Sequence, residues 1–533
     1  MTHTWLIAAF VFWAGAGGEI PASIFNVMSH GTSGRGLVND APAIQAAIDA
    51  CSRSGGGTVY FPAGDYLSGT IVLKSNVTLH LSPGAVLRGS RKMDDYNPPH
   101  LIYAQDAENI GIEGSGTING NGDAYWEKDF KPKTKRPSPM IRLERCRRIR
   151  ILDVNIRNTP GLGIYPSECD GVSIRGVSIV SDMRGPNTDG IDLASSRNVT
   201  ISDSYIETGD DAICLKSHKQ PCENITVTNC TLISDDSALK IGTGTYGGFR
   251  NCLFSNCAIT GTRYGIGMYV KDGGVVEGIG FSNIQIDTSV AHYNRRTNSA
   301  REWIEYPIFV DLEKRTPESG LSLVRDITFS DIQIRTKGRI LVEGMPERPI
   351  ENLTFRNIAM RVTGFESVEN LKKPRGVRGM APASRELDYS TAPAALIFAN
   401  IRGLRLRDIR VIWDTTAEPQ NRHAVYASRI EDLFLAGLAG SPAGSGLATI
   451  GLDSVRRAFI TQSRVNPGTA VFVGTRNTPA KEVVLTGNDL GDTRPMAAGA
   501  TYQHFPTAAS ARHSRPQKQT LRIGKPSLRP LAH

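Results

Sequence analysis

The residues best suited to chemistry are three aspartates in two short motifs. Asn187-Thr188-Asp189-Gly190 is followed by Gly209-Asp210-Asp211, the last carboxylate lying 22 positions after the first. Carboxylates held close together resist simultaneous ionisation, so such a cluster keeps a proton that a lone aspartate would lose. A protonated and an ionised carboxyl on one surface suit glycosidic cleavage: one donates a proton to the leaving oxygen and the other takes one from water. Taken singly, each motif reads as an ordinary turn. Only a framework that stacks them, with the lysines nearby, makes them a site.

The sequence contains such a framework. A pattern of turn residue, apolar, x, apolar, x, Asn/Asp recurs in RIRILDV, GVSIRGV, NVTISDS, NITVTNC, NCLFSNC and GIGFSNI. The first apolar positions, Ile149, Val172, Val199, Ile225, Cys252 and Ile279, lie 23 to 27 residues apart. That period predicts an all-β fold, a parallel β-helix in which alternate side chains enter a narrow core and each strand bonds to the coils on either side. A leucine-rich repeat lacks support, because neither its helix-bearing units nor its leucine spacing is present.

Registering the coils by their apolar residues places Ile191, Ile213, Leu239 and Met268 in one interior column and Leu193, Leu215, Ile241 and Val270 in another. Asp192, Cys214, Lys240 and Tyr269 then face outward, with Lys216 and Lys271 two positions further along. Asp189 and Asp211 share a column, and Asp210 precedes Asp211. Three carboxylates are thereby expected on one exposed patch.

Composition fits this architecture. The 533 residues are 40% apolar and 21% charged, with 54 Gly and 29 Pro, which excludes disorder, collagen and a helical bundle. The net charge of +9 is not a nucleic-acid footprint: seven of the positives lie after Asp492, from Arg494 to Arg529, where no acidic residue occurs. The apolar run Trp5 to Ala14, followed by Ala14-Gly15-Ala16, predicts a secretory signal over residues 1–16 and a secreted or periplasmic protein. No later run is suited to crossing a membrane.

A capping helix is expected next, with Asn39-Asp40 at its start, Pro42 in its first turn and Ile44, Ala47, Ile48 and Cys51 on one face. The β-helix domain is assigned to residues 20–492 and a basic tail, expected to be disordered, to 493–533. The long intervals Ile279 to Ile327 and Leu353 to Leu404 are insertions, read as groove walls. Tyr125 and Trp126, in an insertion at 120–137, are candidates for a subsite wall. His218 reads as a surface loop residue. Cys230 and Cys257 occupy equivalent places one repeat apart, compatible with a bridge or with two buried thiols.

The two aspartate motifs, with the opening NVMSHGTSG…NDAPAIQAAIDAC…GGGTVYFPAGDYLSGTIVLKSNVTLHLSPGAVLRGS, resemble glycoside hydrolase family 28, the polygalacturonase family, over residues 24 to 460. The resemblance implies a right-handed parallel β-helix that hydrolyses α-1,4-galacturonosyl bonds with inversion. It implies Asp210 as general acid, Asp189 and Asp211 as the pair that holds and deprotonates water, and no cofactor or metal. The family's Gly-His-Gly is replaced by Asp236-Ser237-Ala238 and its Arg-Ile-Lys by Tyr269-Val270-Lys271. Lys240, Lys271, Tyr269, Lys216 and Arg263 are the expected substrate contacts, Lys240 or Arg263 supplying the missing cation and Tyr269 stacking on a sugar or on a neighbouring coil. The expected partner is pectin or its fragments, met by a monomer, with no nucleic acid or membrane. Exo-acting and rhamnogalacturonan-type specificities stay open. The rivals are a pectate lyase, which needs a calcium nest and an arginine base, and a non-catalytic polysaccharide-binding rod.

Overall fold

The computed structural model describes residues 23–128, 131–133, 135–289, 305–364, 393–414, 421–444 and 446–498. The proposed signal peptide lies outside the described residues, as do residues 290–304 and 365–392 of the two long intervals read as groove walls. Those residues form a parallel β-helix. Its first sheet stacks Ile141–Glu144, Ile164–Ser167, Ile191–Ala194, Ile213–Ser217, Ser237–Thr245, Tyr264–Val270 and Tyr306–Leu312, each parallel to the next. The second runs through Arg147–Leu152, Asp170–Arg175, Arg197–Ser202, Cys222–Thr228, Phe249–Ser255 and Val275–Asp287. Shorter strands such as Ser178–Val180, Tyr205–Thr208 and Thr231–Ser234 make the third.

The expected column on the second sheet is the observed one: Ile149, Val172, Val199, Ile225, Cys252 and Ile279 are successive partners. The turn residues beside it explain the recurring asparagine. Asn198, Asn224 and Asn251 have φ of 55°, 56° and 51°, in the left-handed region that asparagine tolerates well. Their side-chain amides then bond from coil to coil at 3.1 and 2.8 Å. Inside, Phe254, Phe281, Phe329 and Phe355 form a stack with ring centroids 4.8, 4.9 and 4.5 Å apart. Stacking identical residues packs the narrow core closely and fixes the register.

The one α-helix among the described residues, Ala41–Arg53, buries Ala41, Ile44, Ala47, Ile48 and Cys51. Gln45 ties it to the first coil, donating to the Val72 carbonyl at 3.1 Å and accepting from the Val72 N–H at 2.8 Å. Asp40 does not cap through its side chain. Its carboxylate accepts instead from the Ser33 N–H and hydroxyl, while Asn39 accepts from the Ala41 N–H at 3.0 Å. At the other end the rod continues past Asp492, since Arg494–Ala498 pairs in parallel with Val471–Arg476. Residues 499–533 lie outside the described residues. All eight cysteines are buried free thiols, Cys230 and Cys257 included.

Candidate active site

Asp189 ends the loop that enters the strand Ile191–Ala194, and Asp210 and Asp211 precede Ile213–Ser217 in the next coil. Because Ile191 pairs with Ile213, the two motifs arrive side by side. One carboxylate oxygen from each of Asp189, Asp210 and Asp211 lies within 4.8 Å of those of the other two. The patch is less open than expected: Asp189 and Asp211 are 4% and 2% exposed, and only Asp210 is half-buried. Backbone turns and neighbouring side chains close over the first two. Burial, reinforced by the charges of Asp192, Asp210 and Asp211 and opposed by Lys216, pushes Asp189 well above the usual carboxylate range. Burial also pushes Asp211 up to about 7, against the pull of Lys240.

The cations of this face are committed to protein carboxylates. Lys216 pairs with the fully buried Asp192 and stands 3.6 Å from Asp189. Lys240 donates to Asp211 at 2.7 Å and is 11% exposed. Lys271 is buried in a pair with Glu313. Burial works against the charge on Lys216 and Lys240, yet the adjacent aspartates hold both amines well above the ordinary lysine value. Sequence alternation placed Asp192 on this face without showing that it would be the partner of Lys216.

Tyr269 requires a correction of register. Lys240 pairs with Gly267 and Tyr269 with Gly242, so Leu239 stacks on Ile266 and not on Met268. A slip of two residues preserves which side chains face inward, so alternation cannot detect it. Gly267 leaves the space that Tyr269 fills: a Cβ there would lie 2.9 Å from the Tyr269 ring. Tyr269 is 6% exposed and packs edge-on to Tyr264 and against Phe309, a ladder between coils, with the Lys240 amine 5.3 Å from its ring centre. Arg263 lies over the Tyr264 ring and 4.0 Å from Asp236. Ser237, where the family has histidine, is fully buried.

The 120–137 insertion also differs from expectation. Tyr125 and Trp126 are 3% and 7% exposed, so they are packing residues and not an open wall. The Tyr125 hydroxyl donates to the Ser90 carbonyl at 2.7 Å, and the Trp126 indole donates to the Pro160 carbonyl at 3.3 Å. Arg136, which the repeat pattern gave no reason to single out, reaches from this insertion to the Asn187 side chain at 3.2 Å. His218 is an exposed loop residue, its ring 3.5 Å from the Tyr165 hydroxyl.

Comparison with known proteins agrees with this geometry. The profile of glycosyl hydrolases family 28 matches residues 51–377. An endo-polygalacturonase of Pectobacterium carotovorum subsp. carotovorum is 28% identical over 364 residues, 62% of this chain and 86% of that protein. An exopolygalacturonase of Platanus acerifolia is 26% identical over 262 residues, 47% of this chain and 68% of that protein. Among solved structures, the exopolygalacturonase from Thermotoga maritima superposes with a TM-score of 0.56 at 23% identity, covering 65% of this chain and 88% of that one. The polygalacturonase from Erwinia carotovora ssp. carotovora does so with a TM-score of 0.53 at 25% identity, covering 62% and 93%. The β-helix, the stacked aspartates and a profile match over more than half the sequence lead to one assignment: the chain belongs to glycosyl hydrolases family 28 and is a glycoside hydrolase.

Proposed function

We propose that the enzyme hydrolyses galacturonate-containing pectic polysaccharides or oligosaccharides with inversion at the anomeric carbon. Asp210 is the general acid that protonates the leaving oxygen; Asp189 and Asp211 hold and deprotonate the attacking water. The observation that carries this reading is the convergence of the three carboxylates within 4.8 Å, two of them backed by half-buried lysines. Those lysines pull against the burial that raises both carboxyls, and Lys240 leaves Asp211 at about 7, able to accept a proton from water near neutral pH. Lys216 and Lys240 are therefore assigned to the aspartates themselves, and substrate reaches them only through that electrostatic effect. Arg263, 24% exposed at its side chain, stays the candidate contact to an acidic sugar, with Tyr269 packed nearby, while Lys271 is committed to Glu313.

Residues 1–16 are proposed to export the chain, and the residues beyond the strand Arg494–Ala498 to form a basic extension. The replacement of the family histidine by Ser237 and of its arginine by Tyr269 favours a second specificity, a rhamnogalacturonan-type linkage with fewer carboxylates near the scissile bond.

The test incubates the full chain with oligogalacturonides and with rhamnogalacturonan oligomers, with and without chelator. New reducing ends formed despite chelator, with the inverted anomer detected first by NMR, are expected. Unsaturated, chelator-sensitive ends would mean elimination, binding without cleavage would mean a passive rod, and the retained anomer would overturn the water-activating pair.

A further inference from the structure

The aspartate cluster borders on Asn187, whose backbone is left-handed at φ of 53° and whose amide Nδ2 lies 3.5 Å from Asp210 Oδ2. An asparagine amide is nearly symmetric in shape and presents either a donor or an acceptor, depending on which way it is turned. Its other end is committed. Asn187 Oδ1 accepts from Arg136 Nη2 at 3.2 Å, which directs the donor end towards Asp210.

Arg136 is itself anchored. Its Nη1 donates to the Pro186 carbonyl at 2.6 Å and to the Pro160 carbonyl at 3.1 Å, so one guanidinium spans two coils and the residue just before Asn187. Gly161 gives it room, since a Cβ there would stand 3.1 Å from Arg136 Cζ. The rest of the insertion supports the same loop: Trp126 donates to the Pro160 carbonyl, and its ring edge would be 2.7 Å from a Cβ on Gly185. The planar fork of arginine serves three oxygens at once, which a lysine amine at the end of a flexible stem does not reproduce.

We infer that Arg136 is a positioning residue for the reaction: by fixing the Asn187 amide with its donor end towards Asp210, it holds the acid's carboxyl turned for proton transfer to the leaving oxygen. A turned amide would offer an acceptor to Asp210 and draw its proton away from the substrate. This rests on the reading of Asp210 as general acid.

The experiment is a double-mutant cycle with Arg136→Ala and Asn187→Ala, plus Arg136→Lys, measured as kcat and KM on whichever pectic oligomer the wild type cleaves. Arg136→Ala is expected to lower kcat about 10- to 50-fold with KM changed less than about twofold, the pattern of an interaction that matters in the transition state. In the Asn187→Ala background the same substitution is expected to cost less than about twofold, because its route to the acid is gone. Arg136→Lys is expected to recover part of the rate, and it carries the cycle if the alanine variant fails to fold. Additive losses, or a loss confined to KM, would overturn the inference while an inactive Asp210→Asn left the acid assignment intact. Full activity in Asp210→Asn would remove the acid, and this inference with it.

Discussion

The first and second sheets pass through the same coils and treat charge in opposite ways. On the second sheet, charges stay in water: Arg197 pairs with Asp170 at 2.9 Å and Arg325 with Glu277 at 2.5 Å, all four side chains at least a quarter exposed. On the first, Lys240 and Asp211 are 11% and 3% exposed, and Lys271 and Glu313 are 6% and 2%. An exposed pair contributes about 0–1 kcal/mol, whereas removing one member of a buried pair costs about 3–5 kcal/mol. The second sheet therefore holds the fold through its apolar interior and asparagine ladder. The first spends stability on carboxylates kept out of water, which is useful only if their protonation matters.

The largest effect that tests this contrast is on turnover. Asp210→Asn is expected to lower kcat by about 10³-fold, within the range a general acid supplies, with an unchanged circular dichroism spectrum. Lys240→Met comes next. Lys240 holds Asp211 down against burial, so without it Asp211 stays protonated above its present value of about 7 and cannot accept from water. The acid limb of kcat/KM is expected to move to higher pH and the rate at pH 6 to fall about 10- to 100-fold. An unmoved limb would show that the buried lysine does not govern the base.

Stability should respond in the opposite sense at Asp189. Its raised carboxyl binds a proton more tightly in the folded chain than in the unfolded one. Stability is therefore lost as pH climbs from the ordinary carboxylate value through the raised one. Asp189→Asn removes that loss, and Lys216 keeps Asp192 as its partner. The variant is expected to be inactive yet to melt about 1–3 °C higher than wild type at pH 8, the gain vanishing near pH 4. Equal melting temperatures at both pH values would contradict the buried, raised state of Asp189.

The same contrast explains what could be read from the sequence. The second sheet follows from it directly, because alternation and the left-handed asparagine turn recur at a nearly constant period, and the column from Ile149 to Ile279 is the observed one. The aspartate trio follows too, since it depends only on the match of Ile191 with Ile213. Two coils later the reading slips by two residues at Tyr269, where Gly267 removes a side chain and inward-outward parity cannot mark the shift. The partners of the lysines were not legible, because outward-facing is a statement about the coil and not about what covers it. Arg136 lies in an insertion with no period to register it, and its role comes from three oxygens that only the folded chain brings together.

The smallest expected effect is the control for the rest. Arg197 removes no group from water and leaves none stranded when it is replaced, since Asn198 still donates to Asp170 at 2.7 Å. Arg197→Gln should therefore change unfolding free energy in urea by about 0.5 kcal/mol or less and leave kcat/KM and its pH limbs untouched. Lys240→Gln deletes the same formal charge two coils further along but leaves a buried carboxylate beside a neutral amide. If the two substitutions cost the same, burial is not what separates the sheets, and the electrostatic reading of the first sheet fails with it.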